Sequence, residues 1–181
     1  MFARRDLLRF GLAGAAAAAG LPVQALATPA EARRVALHNL HTGEALDAVY
    51  WENGKYVPDA VEALNKVLRD FRTGDVHMMD PGLYDILDAI SAKVEARKPF
   101  QIISGFRSPK TNAMLKKTGG GGVATHSLHM DGKAMDIRLD GVALNNVHKA
   151  ALSLKRGGVG LYPVSNFVHV DVGRVRTWNG A

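Results

Sequence analysis

The stretch SLHMDGKAMDI, residues 127–137, sets His129 and Asp136 seven positions apart with Gly132 between them. Asp136 lies inside an apolar run, which asks for a reason. One reading is a turn followed by an ordinary strand; the other makes His129 and Asp136 two arms of a metal site. Successive side chains of a strand point to opposite faces. Asp136 and Arg138 therefore share one face, and Met135, Ile137 and Leu139 the other. The segment NFVHVDVG, residues 166–173, is built the same way, with Phe167, His169 and Asp171 on one face and Val168, Val170 and Val172 on the other.

Alternation alone suits a solvent-facing polar face and a lined site equally. Three features favour the site. His129, Asp136 and His169 form a donor set that suits zinc and leaves a fourth position for water. A loop and two strands would hold them rigidly. Gly132 lets the chain turn sharply between His129 and the strand, and Ala134 crowds nothing. The remaining histidines read as bland: His38 and His41 beside a turn, His77 in a loop, His126 in the loop before His129, and His148 exposed on a helix.

Outward from this core, the chain reads as one α+β domain with helices packed on a mainly antiparallel sheet. Strands are expected near 35–39, 45–51 and 55–57, broken by Thr42-Gly43 and by Asn53-Gly54, a strong hairpin signal. Pro58-Asp59 opens a helix whose apolar face is Val61, Leu64, Val67, Leu68 and Phe71. Asp80-Pro81 opens a second, with Leu83, Ile86, Leu87, Ile90 and Val94 inward. PFQIISGF is a buried strand, and SPKTNAMLKK a short helix with Ser108 as N-cap. TGGGG, residues 118–122, is a flexible rim, GVALNNVHKAALSL a helix, and GGVGLYP with NFVHVDVG a closing hairpin. RVRTWNGA ends the chain as a strand end or tail.

The first 27 residues stand apart. Arg4 and Arg5, a weakly apolar Ala/Gly run and the exit Ala25-Leu26-Ala27 compose an export signal of twin-arginine type, with the mature domain at 28–181. Residues 10–21 are too short and too glycine-rich to span a membrane comfortably, so no stable span is expected in the mature form. The expected destination is the periplasm or cell wall, with the twin-arginine machinery as partner of the precursor.

Composition excludes several chemistries. With no cysteine, disulfides, thiolate zinc sites and cysteine nucleophiles are absent. The net charge of +6 is scattered, without a basic run, so no nucleic-acid stripe is read. Lys117-Thr118-Gly119 suggests serine penicillin-binding chemistry, but no serine has a lysine three residues on. Neither a helical H-E-x-x-H nor a phosphate-loop pattern occurs.

SGFRSPKTN, SLHMDGKAMDI and FVHVDVGRVR, in that order, resemble the zinc D-Ala-D-Ala metallopeptidases, most closely the exported murein endopeptidase K-like branch; lysostaphin-type peptidases and the hedgehog domain are more distant members. The pattern S-x-H-x-x-G-x-A-x-D is matched at Ser127, His129, Gly132, Ala134 and Asp136. The resemblance implies zinc on His129, Asp136 and His169, a substrate-binding arginine at Arg107, and peptidoglycan peptide stems as substrate. Asp171 would act as a proton acceptor or as a carboxylate orienting a ligand imidazole. Several members carry a histidine two residues before the last ligand, or a glutamate three before it; here Phe167 and Asn166 occupy those places. The implied activity is hydrolysis of peptidoglycan cross-links. A non-catalytic wall-binding module and a D,D- or L,D-carboxypeptidase are the competing readings.

Overall fold

The computed structural model describes residues 32–118 and 124–180. The expected export signal and most of the expected glycine rim lie outside them. Eight strands form one sheet: β1 (Arg33–Asn39), β2 (Ala45–Glu52), β3 (Lys55–Tyr56), β4 (Phe100–Ser104), β5 (Ala134–Leu139), β6 (Gly158–Tyr162), β7 (Phe167–Asp171) and β8 (Arg176–Asn179), in spatial order β3-β2-β1-β4-β5-β7-β6-β8. Four helices accompany it: α1 (Pro58–Val67), α2 (Gly82–Lys93), α3 (Pro109–Thr118) and α4 (Leu144–Leu154). The architecture is α+β, as expected. The sheet is mixed, since β1 runs parallel to β4 and β6 parallel to β8.

Local chemistry explains the elements. Asn53 and Gly54 both take positive φ, 52° and 80°, and close the β2–β3 hairpin. Pro58 sits in the first turn of α1, where its missing N–H costs nothing, with Asp59 beside it. Asp80 Oδ1 accepts the Gly82 N–H at the start of α2, and Ser108 Oγ accepts the Thr111 N–H at the start of α3.

The expected apolar faces of the helices meet one face of the sheet. Leu64, Leu83, Leu87, Ile90 and Val147 pack with Leu37, Ile102, Ile137, Val168 and Val170 in a buried core. The opposite face carries Asp136 and His169.

Two expectations are corrected. Helix α1 stops before Phe71: the Asp70 carboxylate accepts the Arg72 N–H, and such side-chain bonds compete with the helical ladder. Phe71 is half-buried outside the helix, stacked 3.7 Å from His41. His148 is half-buried rather than exposed, with Nε2 lacking a hydrogen-bond partner, and burial lowers its pKa. Of the two readings of the C-terminal stretch, strand end or tail, the strand holds: β8 pairs in parallel with β6.

Candidate metal centre

Strand register builds the site. Ser104, Asp136, His169 and Gly160 are successive partners across β4, β5, β7 and β6, and Trp178 of β8 continues the row. Asp136 and His169 thus sit side by side on adjacent strands. His129 arrives from a single 3-10 turn, Leu128–Asp131, whose cap Ser127 accepts the His129 N–H. The turn ends at Gly132 with φ 67°. A side chain there would run into the Met78 carbonyl, so close approach as well as φ demands glycine.

Three donor atoms form a triangle. His129 Nε2 lies 3.2 Å from His169 Nδ1, His169 Nδ1 lies 2.9 Å from Asp136 Oδ1, and His129 Nε2 lies 3.3 Å from Asp136 Oδ1. All three residues are buried. The far nitrogen of each ring faces an acceptor. His129 Nδ1 is 2.8 Å from the Gly105 carbonyl, which can only accept, so Nδ1 carries the hydrogen. His169 Nε2 is 3.2 Å from Asp171 Oδ2 and donates to it. With their outer nitrogens tied in this way, the two rings turn their inner nitrogens, and Asp136 a carboxylate oxygen, toward one point, an arrangement suited to a cation. Tetrahedral zinc, with bonds of about 2.0–2.1 Å, separates its donor atoms by about 3.3 Å. The donor set and its spacing fit that ion.

The same arrangement shapes the protonation of the cluster. Burial opposes charge on Asp136, yet the imidazoles of His129 and His169 hold its carboxyl well below the usual range. Burial likewise opposes a charged His169, but hydrogen bonds to Asp136 and Asp171 outweigh it and raise the ring to about 9.

Arg107 borders the triangle. Its guanidinium Nη2 is 3.6 Å from Asp136 Oδ2 and reaches Ser104 Oγ at 3.5 Å, while its buried Nε has no partner. Its backbone N–H donates to the His129 carbonyl, so the 105–107 segment and the His129 turn brace each other in both directions. Asp70 anchors this segment from below. Its carboxylate accepts the Ser108 and Arg72 N–H groups; burial opposes its charge, but these bonds and the Thr111 and Ser108 side chains bring its pKa to about 2.

Asp171 is fully engaged. Oδ1 accepts from Gly158 N, Gly173 N and Arg176 Nη1, and Oδ2 from Arg176 Nη2 as well as His169. Despite burial these bonds hold its carboxyl well below the usual range. Of the two expected roles, this geometry suits orientation of His169 and leaves little basicity for taking a proton.

The other histidines stay outside the triangle. His126 and His77 are exposed, the latter stacked 4.7 Å from Phe106. Phe167, at the place where some relatives carry histidine, stacks 4.4 Å from Tyr162. Sequence reasoning missed the Gly105 carbonyl, Arg176 and Trp178. Trp178 lies with its ring 5.2 Å from that of His169 and donates its Nε1–H to Tyr162. The alternating glycines 158 and 160 were the available signal, since glycine inside a strand marks close approach of another group.

A buried His–Asp–His triangle on an α+β sheet, flanked by an arginine, is the arrangement that the resemblance to D-Ala-D-Ala metallopeptidases leads one to expect. Comparison with known proteins narrows the class. The family model described as peptidoglycan L,D-endopeptidase MepK matches residues 27–178, and the chain belongs to this family. It is 45% identical over 177 residues to peptidoglycan L,D-endopeptidase MepK of Escherichia coli K12, covering 97% of this chain and 96% of that protein. It is 41% identical over 159 residues to the probable peptidoglycan L,D-endopeptidase MepK of Haemophilus influenzae, covering 87% and 85%. No solved structure matches it significantly.

Proposed function

We propose that the chain is a zinc-dependent murein endopeptidase that hydrolyses an L,D-peptide bond in the cross-links of peptidoglycan. The observation that carries this is the triangle of bare donor atoms on His129, Asp136 and His169, at 2.9–3.3 Å from one another. The family relationship supports the substrate class. Zinc held by these three residues would supply Lewis-acid polarisation of the scissile carbonyl and a water acidified to a pKa of about 7.

The chain's own residues do the rest. The Gly105 carbonyl and Asp171 fix the tautomers of the two imidazoles. Arg107, 13% exposed at its side chain, offers its guanidinium Nη groups to a substrate carboxylate or to the developing oxyanion. The scattered positive charge attracts the carboxylates of wall peptides. Residues 1–27 act as a twin-arginine export signal and residues 28–181 as the peptidase domain, which works in the periplasm. Among the described residues no helix is long and apolar enough to cross a membrane.

Digestion of purified cross-linked muropeptides with and without a chelator tests the reading. Chelator-sensitive release of L,D-cleaved products is expected. Loss of a terminal D-residue alone would indicate a carboxypeptidase, and binding without cleavage a wall-binding module. His129→Ala and Asp136→Asn should each abolish stoichiometric zinc, measured by metal analysis, and reduce turnover by at least about 1000-fold; normal turnover by either removes the assignment.

A further inference from the structure

Strand β8 lies two strands away from His169, with β6 between them. Adjacent strands are about 4.8 Å apart, so a β8 side chain touching β7 must lie flat across β6. That path is open only where β6 has no side chain on the site face. The register supplies such openings: Arg176 pairs with Gly158, and Trp178 with Gly160. A Cβ at Gly158 would run into the Arg176 guanidinium and the Asp171 carboxylate, and one at Gly160 would stand 2.5 Å from the Trp178 ring.

Through the first opening Arg176 makes a forked pair with Asp171, Nη2 to Oδ2 at 2.7 Å and Nη1 to Oδ1 at 3.1 Å. The Asp171 side chain is entirely buried. Its Oδ2 is also the atom facing His169 Nε2. We propose that Arg176 is a positioning residue for the metal centre: reaching across β6 through the gap at Gly158, it locks Asp171 so that His169 keeps Nδ1 bare and aimed at the triangle. This rests on the metal reading above and extends it to an edge strand that contributes no ligand.

The physical reason is charge balance joined to geometry. A buried carboxylate without a cation is costly and reorients toward water. The planar fork of arginine holds both carboxylate oxygens at once, which an ammonium cannot do. With Asp171 free to turn, the His169 ring loses the acceptor that selects its tautomer. Groups that orient ligand imidazoles in this way are worth about 10- to 100-fold in metal affinity.

The test is zinc affinity of the full mature domain, measured by competition with a chromophoric chelator, together with the visible spectrum of the Co2+ form. Arg176→Gln should bind zinc about 10- to 100-fold more weakly, with shifted Co2+ bands. Arg176→Lys, which keeps the charge without the fork, should lose about 3- to 10-fold, a partial rescue. Gly158→Ala should weaken binding in the same direction by displacing the guanidinium. Wild-type affinity and an unshifted Co2+ spectrum in the Gln variant overturn the proposal; where that variant does not fold, the same result in the Lys variant overturns it. Wild-type protein that takes up no stoichiometric zinc sinks the metal reading itself, and this inference with it. A zinc-binding wild type alongside undiminished variants sinks only the inference.

Discussion

His169 is engaged at both ring nitrogens, by Asp136 and His129 on one side and by Asp171 on the other. Without a metal, hydrogen bonds to Asp136 and Asp171 outweigh burial and favour the charged ring, whose pKa stands at about 9 against an ordinary 6.5. A group whose folded pKa is raised stabilises the fold fully below its unfolded value and loses that contribution as pH rises through the folded one. The metal-free protein should therefore lose stability between about pH 6.5 and 9, on the order of 1–3 kcal/mol. Urea unfolding of chelator-treated protein reads this directly. His169→Gln should flatten the decline, and a wild-type midpoint that stays level across this window would contradict the account. His169 and Asp136 stood out in the sequence because each breaks an apolar run at strand period, a pattern that by itself suited a solvent-facing strand equally well. Arg107 was legible only through its motif; no periodicity marks it, because it sits on an irregular segment held by Asp70 and the His129 turn.

At the scale of elements, β6 and β8 work as a unit. Gly160 is smooth so that Trp178 can lie against His169 and reach Tyr162. Gly160→Ala should cost about 1–3 kcal/mol through overpacking. It should also alter tryptophan emission, since Trp178 is one of only two tryptophans in the chain. Urea denaturation followed by fluorescence checks both; an unaltered midpoint and spectrum would show that the ring does not depend on this gap. The helices and most strands follow from apolar spacing and turn residues. The end of α1 does not, because the Asp70 side chain diverts the backbone just as the apolar pattern continues to Phe71. The role of β8 was not legible either, since its partner is chosen by a crossover and not by its own pattern.

At the scale of the whole molecule, the sheet separates two tasks. One face buries an aliphatic core against the helices, and the other carries the polar row from Ser104 to Trp178. The domain so built must reach the wall to act on it. Replacing Arg4 and Arg5 together by lysine should block export, with uncleaved precursor retained inside the cell, as cell fractionation with an immunoblot would show. Export undiminished by this change would overturn the proposed twin-arginine role of residues 1–27.

Local order in the chain determined which residues could be ligands and which faces would be apolar. A side chain's type and its strand parity depend only on near neighbours, and so does the turn at Gly132. Tertiary structure alone decided that the donor atoms stand about 3 Å apart, that each imidazole has its outer nitrogen tied, and that an arginine from the sheet edge reaches Asp171. Those facts depend on strand order and register, which join residues far apart in sequence, and on glycines whose value appears only when another strand's side chain passes over them.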